Sequence, residues 1–171
     1  MVCALRTVRM SSACSSSHGF RRLGGVMSKP IIVVADDDRA LLDAVSTRLE
    51  AAGFEVHTAQ DGYMAVQEAR RVHPDVVLLD IGMPAGDGFS VHDRLQQIEG
   101  HEAPQYVYMT GSREGAVTHA ARTKHAFALM HKPFDGRELT TILRSAVRQR
   151  RERRLAAAER ARQADEEKWE V

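Results

Sequence analysis

Polar side chains that could carry out chemistry stand directly after the short apolar runs of this sequence. They are Asp36, Asp37, Asp38, Asp80, Thr110 and Lys132. Carboxylates that lie close together repel one another, which raises their pKa values unless a cation shares the site. No His or Cys joins the acidic group, so zinc is a poor fit, and a hard, oxygen-liganded ion is indicated. The residue types therefore predict a Mg²⁺ site beside a reactive carboxylate.

The run from Val76 to Leu79 ends in Asp80 and is followed by a turn rich in Gly and Pro. Taken alone, Asp80 could equally be a turn former or a helix cap. An Asp nucleophile with a divalent cation, the Lys132 ammonium and the Thr110 hydroxyl suits phosphoryl transfer to a carboxylate. The product of that chemistry is an aspartyl phosphate.

Short apolar runs alternate with amphipathic helical patterns through the middle of the chain. The predicted strands are Ile31–Ala35, Phe54–Ala59, Val76–Asp80, Tyr106–Met109 and Phe127–Met130, and the predicted helices begin near Ala40, Asp61, Phe89, Arg113 and Asp135. Strict alternation predicts an α/β fold with a parallel sheet and right-handed crossovers. A flavodoxin-like, doubly wound, five-stranded sheet of order 2-1-3-4-5 places strands one and three side by side. All the polar residues above then share the carboxyl edge of the sheet.

The first 26 of the 171 residues differ in composition from the rest. They contain both cysteines and four arginines but no acid, and we predict that residues 1–26 are disordered. An alternative is a start site assigned too early, because Met27 leads directly into the first strand. No apolar run is long enough for a membrane span, and no disulfide framework is indicated. A cytoplasmic protein without membrane contact is the expectation.

The end of the chain is strongly charged. From Arg144 to Arg162 there are eight arginines and two glutamates, whereas the stretch from Gln163 is acidic. We predict a charged helical extension over residues 148–171. Nucleic acid is not expected as a partner, because the segment lacks aromatic residues and no helix-turn-helix follows. A DNA-binding arm, a homodimer through this helix and a docking site for another protein remain open.

Four ordered motifs resemble the receiver domain of two-component response regulators. They are Ile31-Ile-Val-Val-Ala-Asp-Asp-Asp, Val77-Leu-Leu-Asp-Ile-Gly-Met-Pro with Asp87-Gly88, Met109-Thr-Gly-Ser and His131-Lys-Pro-Phe. The resemblance covers about residues 29–150, and the predicted receiver domain spans residues 27–147. The resemblance implies a stand-alone, phosphorylation-activated switch. Its phosphoryl group would come from a histidine kinase or phosphotransfer protein, and its output would be a contact with an unidentified protein.

The same resemblance implies a role for each site residue. Asp80 would be the phosphoacceptor, with Thr110 as the switch hydroxyl and Lys132 as the ion-pair partner of the phosphoryl group. Asp36, Asp37, Asp80 and the backbone carbonyl of Gly82 would bind Mg²⁺. A cis peptide bond is expected before Pro133. The protein would not be a dedicated enzyme, although slow hydrolysis of its own aspartyl phosphate is expected. A module that signals without phosphate is the alternative.

One position departs from the family pattern. Leu129 stands three residues before Lys132, where many receivers have Tyr or Phe. Coupling between the switch Thr and an aromatic ring is therefore in doubt. Phe127 could compensate, but a role in the core is the favoured interpretation. The scattered histidines His73, His92, His101, His119 and His125 are interpreted as surface residues.

Overall fold

The chain folds into five strands and five helices that alternate along the described residues. The structure is a computed structural model, and it describes residues 28–83, 86–99 and 103–167. The elements are β1 Ile31–Ala35, α1 Arg39–Ala51, β2 Glu55–Ala59, α2 Gly62–Val72, β3 Val76–Asp80, α3 Gly88–Glu99, β4 Gln105–Thr110, α4 Gly115–Thr123, β5 Ala128–His131 and α5 Gly136–Glu167. The predicted disordered segment, residues 1–26, lies outside these ranges.

All five strands are parallel and lie in the order β2-β1-β3-β4-β5. This confirms the predicted flavodoxin-like topology. The order reverses between β1 and β3, so loops that leave these two strands diverge and open a crevice at the carboxyl edge. The register pairs Ala35 with Leu79 and Thr110 with His131, and it therefore brings the ends of β1, β3, β4 and β5 level.

The sheet is covered on both faces. On one face, α1 and α5 bury Leu42, Val45, Leu49, Leu139, Leu143, Ala146 and Val147 against β1, β3 and β4. On the other face, α2, α3 and α4 bury Ala65, Val66, Ala69, Val91, Leu95 and Ala121. β3 is buried at every position, which explains its unbroken apolar sequence. In α2 the apolar pattern predicts Met64 on the inward face, and this is wrong: Met64 is 46% exposed, and Val66 lies on the buried face instead.

Side-chain caps start the first two helices. Asp38 accepts hydrogen bonds from the amides of Ala40 and Leu41, and Asp61 accepts one from the amide of Met64. Each carboxylate satisfies amides that have no partner inside the helix. Asp38, the third acid of the run after β1, is therefore a helix cap.

Helix α5 continues well past the sheet. It runs without a break from Gly136 to Glu167, through the predicted boundary at residues 147 and 148. Two arginines tie it to the body of the fold, since Arg144 donates to the carbonyl of Ala52 and Arg151 donates to that of Ser28. Arg150 is 6% exposed. Part of the arginine content of this segment therefore serves attachment. Among the described residues, no helix has the length and apolar character that crossing a bilayer requires.

Candidate functional site

Asp80 is held at the carboxyl end of β3 with both of its oxygens engaged. Its Oδ2 accepts a hydrogen bond of 2.8 Å from the amide of Gly82, and its Oδ1 lies 2.8 Å from the Nζ of Lys132. Only 8% of the side chain is exposed. The turn after β3 therefore fixes the direction of the carboxylate, and Lys132 balances part of its charge.

Asp36 is the most buried acid of the group. It is fully buried at the end of β1, where its Oδ1 accepts from the amide of Asp38 at 3.0 Å. Its Oδ2 lies 2.5 Å from the Nζ of Lys132. Lys132 therefore bridges two carboxylates that come from different strands. A buried carboxylate is tolerable here because it has a cation and a backbone amide as partners.

The acids form one compact cluster. Carboxylate oxygens of Asp36, Asp37 and Asp80 lie within 4.8 Å of one another, and Asp37 is exposed. No other group of three such side chains was found in the part of the chain that the structure describes. Three carboxylates face one ammonium, so negative charge remains in excess. The oxygen donors and the excess charge fit a hard divalent cation such as Mg²⁺.

Lys132 stays charged in this setting. Partial burial by itself lowers the pKa of its ammonium, but hydrogen bonds and charge interactions with Asp36 and Asp80 outweigh that effect and raise the pKa above its usual value. The backbone positions the side chain, because the amide of Lys132 donates to the carbonyl of Thr110 at 2.7 Å. The peptide bond between Lys132 and Pro133 is cis, as the resemblance predicted.

Thr110 ends β4 and is 4% exposed. Its Oγ1 accepts a 3.0 Å hydrogen bond from the amide of Ser112. Within the described residues, this hydroxyl bonds neither Asp80 nor Lys132. The structure therefore brings Asp36, Asp37, Asp80 and Lys132 together and leaves the Thr110 side chain turned toward the next loop.

Two glycines in helices pack closely against backbone carbonyls at Asp80 and in the loop that follows it. A Cβ on Gly88 would lie 2.7 Å from the carbonyl oxygen of Asp80. A Cβ on Gly62, the first residue of α2, would lie 2.6 Å from the carbonyl oxygen of Gly86. These distances are too short for any side chain, so α2 and α3 reach the loop only because both positions are glycine. Packing thus fixes the backbone at Asp80 and at Gly86, on either side of the stretch that begins with Gly82.

Leu129 and Phe127 occupy different surroundings. Leu129 packs with the cluster under α2, α3 and α4, whereas Phe127 lies before β5 and packs with the cluster under α1 and α5. The favoured core role of Phe127 agrees with this placement. A cavity of about 320 Å³ lies between α4 and β5, and Leu129 lines it with small neighbours such as Ala121 and Ala126.

His92 is a residue that sequence reasoning misplaced. The interpretation as a surface residue is wrong, because His92 is 6% exposed. Its ring stacks on Tyr106 at 3.7 Å, and its Nδ1 lies 2.6 Å from the hydroxyl of Tyr108. Burial first, and then the charge of Lys124, lower the pKa of His92 to about 4. The position of His92 directly after Val91, on the edge of the apolar face of α3, was the available signal.

Comparisons with known proteins place the chain among proteins of known family. Residues 32–144 match the family model described as response regulator receiver domain. The chain is 33% identical over 119 residues to the DNA-binding dual master transcriptional regulator RpaA of Synechocystis, covering 70% of this chain and 49% of RpaA. It is 35% identical over 117 residues to the regulatory protein AtoC of Escherichia coli, covering 68% of this chain and 25% of AtoC.

Solved structures show the same fold. A CheY-like receiver domain protein from Methanospirillum hungatei superposes with a TM-score of 0.68 at 22% identity, covering 73% of this chain and 98% of that protein. This chain spans about half or less of the curated relatives named above. RpaA is described as DNA-binding. This similarity does not support the prediction that nucleic acid is not a partner of the chain. The match over residues 32–144 and the identity to these regulators establish that the chain belongs to the response regulator receiver domain family.

Proposed function

We propose that this chain is a phosphorylation-activated switch that accepts a phosphoryl group on Asp80. The donor would be a phosphohistidine on a histidine kinase or phosphotransfer protein, and the setting would be the cytoplasm. One observation carries the proposal: Asp80 ends a buried strand, with Lys132 on one oxygen and Asp36 and Asp37 beside it. A turn former would need none of these neighbours.

Phosphoryl transfer needs no reactant besides the Asp80 carboxylate and the phosphohistidine. An oxygen of Asp80 forms a bond to phosphorus, the phosphorus–nitrogen bond of the donor breaks, and its electron pair returns to the imidazole. The Lys132 ammonium, which now pairs with Asp80, is placed to neutralise the new phosphoryl oxygens. Positioning and charge therefore provide most of the catalysis.

Mg²⁺ is the proposed cofactor. Asp36, Asp37, Asp80 and the carbonyl of Gly82 would hold it, and when bound it would neutralise negative charge on the phosphoryl group. Because both oxygens of Asp36 already have partners, the exposed Asp37 carboxylate is the group most free to respond to the ion. Slow hydrolysis of the aspartyl phosphate would reset the switch, without a dedicated enzymatic role.

Phosphorylation would act by shifting a population of conformations. In the active state the Thr110 hydroxyl would leave the Ser112 amide and bond the phosphoryl group. Thr110 is adjacent in the sheet to β5, which carries Leu129 and borders the cavity under α4. A movement at Thr110 would therefore reach the surface formed by α4 and β5, where a protein partner would read it.

The proposal is tested by the mass of the protein after incubation with acetyl phosphate and Mg²⁺. We expect one added phosphoryl group in the wild type and none in Asp80→Asn. Removal of Mg²⁺ with a chelator should prevent addition of the phosphoryl group. A wild-type mass that does not change would contradict the phosphorylation claim, and modification of Asp80→Asn would contradict the assignment to Asp80.

Two other functions remain as alternatives. A module that signals without phosphate would bind its partner equally well in the wild type and in Asp80→Asn. A DNA-associated role through α5 is favoured by the description of RpaA. The change of Arg153, Arg160 and Arg162 to Gln tests it, because these substitutions leave the attaching Arg144 and Arg151 in place. Loss of salt-dependent binding to duplex DNA would support that role.

A further inference from the structure

A cavity of about 530 Å³ lies at the amino edge of the sheet, where α3, the start of β4 and the end of α4 meet. Pockets that hold small molecules commonly measure roughly 300–1,000 Å³. This space is therefore large enough for a small organic molecule. It lies at the opposite end of β4 from Thr110, so it is separate from the site around Asp80.

The first buried polar group of the cavity is Gln105. This residue is 5% exposed and lines the cavity at the start of β4. Its backbone is fixed, because its amide donates to the carbonyl of Asp75 at 3.1 Å. Its side-chain carboxamide bonds none of the described residues. A buried carboxamide without partners is unfavourable, and a ligand with polar groups would supply those partners.

The second buried polar group is the His92 ring, which also lines the cavity. Because burial lowers the pKa of His92 to about 4, the ring is neutral near pH 7. Its Nδ1 lies 2.6 Å from the Tyr108 hydroxyl, which has no other hydrogen-bond partner in the part of the chain that the structure describes. The hydroxyl therefore donates to Nδ1, and the ring proton is on Nε2. His92 thus offers an N–H donor.

The rim of the cavity carries an excess of positive charge. Lys124, at the end of α4, has its Nζ 2.5 and 2.6 Å from the two carboxylate oxygens of Asp93, so these two charges balance. Asp93 is the only acid among the described residues that line the cavity. Arg153 of α5 lies at the same rim, is exposed, and forms no ion pair with any described residue. Its charge is therefore available to a ligand.

These features select one class of ligand. A cation would be repelled by Arg153, and a purely apolar molecule would leave the polar groups of Gln105 and His92 without partners. Carboxylate and phosphate groups accept strong, charge-assisted hydrogen bonds from a guanidinium. We infer that the cavity binds a small organic anion, whose carboxylate or phosphate group pairs with Arg153 and whose other polar atoms bond Gln105 and His92. The inference does not depend on phosphorylation at Asp80.

NMR titration of the full chain in the absence of Mg²⁺ tests the inference with three probes: succinate, AMP and inorganic phosphate. We expect saturable shifts of the Gln105, Tyr106 and His125 amides with succinate or with AMP. Inorganic phosphate fills little of the space, so its dissociation constant should be at least about tenfold higher than that of the better organic probe. Comparison of succinate with AMP distinguishes a carboxylate ligand from a phosphate ligand.

Three variants separate binding in the cavity from a general charge effect. Gln105→Leu replaces the carboxamide with an apolar group of similar size and should raise the dissociation constant about tenfold. Arg153→Gln, an exposed change that should leave the fold intact, should raise it about threefold or more. Arg160→Gln is the matched control, because it makes the same change about two helical turns later on α5, away from the cavity. It should bind like the wild type.

Two outcomes would overturn the inference at the level of the ligand. One is a wild type with no saturable shifts for succinate and AMP, and the other is inorganic phosphate that binds as tightly as both. A third concerns the site. If Arg153→Gln binds like the wild type, or if Arg160→Gln weakens binding as much as Arg153→Gln, the anion is not held in this cavity.

Discussion

The two carboxylates at the ends of β3 have opposite surroundings. Asp75 precedes the strand, where its Oδ2 accepts from the amide of Ile31 at 3.2 Å and lies 3.5 Å from Arg151. Asp80 ends the strand among two further acids and one lysine. At the amino edge the charge of Asp75 is matched by that of Arg151, and this ion pair helps to attach α5. At the carboxyl edge negative charge is left over, which stability alone does not require.

Excess charge, more than burial, distinguishes the proposed reactive end of the strand from its structural end. Both carboxylates are largely shielded, with 14% and 8% of their side chains exposed. Substitutions at the carboxyl edge should therefore change phosphorylation and metal binding, whereas substitutions at the amino edge should change only stability.

The largest effect on stability and phosphorylation together is expected at Gly62, where α2 packs against the carbonyl of Gly86. Gly62→Ala forces a methyl group against the carbonyl of Gly86 and should lower the free energy of unfolding by about 1–3 kcal/mol. Phosphorylation by acetyl phosphate should slow as well, since the loop carries Gly82. Urea denaturation and the rate of mass change measure the two effects. Gly115→Ala, where the added methyl meets nothing within 4 Å, is the matched control. Because alanine is the better helix former, this variant should be at least as stable as the wild type and should be phosphorylated at the same rate. Normal phosphorylation in Gly62→Ala would show that the loop position is not critical.

The stability of the protein should depend on pH through His92, which lies between the two edges of the sheet. Because its pKa in the folded state is about 4 and lies below the unfolded value near 6.5, the unfolded chain binds the proton more readily. Stability should therefore fall as the pH drops from about 6.5 to 4, by on the order of 3 kcal/mol. Denaturation midpoints across this range should show a smaller loss in His92→Gln. The exposed His119→Gln should keep the wild-type profile, and an identical profile for His92→Gln would refute the assignment.

Mg²⁺ affinity should respond differently to substitution of two neighbouring acids at the carboxyl edge, Asp37 and Asp38. Asp37→Asn removes a carboxylate from the cluster and should weaken Mg²⁺ affinity on the order of tenfold. Asp38→Asn is chemically the same change one residue later, but Asp38 caps α1 and Asn caps equally well. Mg²⁺ titration followed by NMR chemical shifts should therefore give a wild-type affinity for Asp38→Asn. Equal losses in both variants would contradict the assignment of Asp38 to capping.

The smallest effect is expected at the amino edge. Arg151→Gln removes the ion pair with Asp75 and should lower the free energy of unfolding by about 1 kcal/mol, because the pair is partly exposed. Thermal denaturation measures this change. Phosphorylation of this variant should match the wild type, and a reduced rate would mean that the two edges are not independent.

Much of the fold and the site could be predicted from sequence. Apolar runs that end in Asp36, Asp80, Thr110 and Lys132 predicted the strands, their order and the convergence of the acids, because parallel strands share one carboxyl edge. Pattern alone did not place His92, since a histidine beside an apolar stripe can be buried only if strand residues such as Tyr106 and Tyr108 provide a stacking surface and a hydrogen bond. That depends on tertiary packing.

Two further features depend on distances that no sequence pattern contains. The role of Gly62 follows from the approach of α2 to the loop after β3. The division of the arginines of α5 between attachment and exposure follows from where the helix leaves the sheet. Both become visible only when elements distant in sequence are in contact.

The central claim is tested most directly by phosphorylation of variants at the two ends of β3. Asp80→Asn and Asp75→Asn are compared with the wild type by intact mass after incubation with acetyl phosphate and Mg²⁺. We expect one phosphoryl group on the wild type and on Asp75→Asn, and none on Asp80→Asn. Phosphorylation that persists in Asp80→Asn, or that is lost in a folded Asp75→Asn, would contradict the assignment of the reaction to the carboxyl edge.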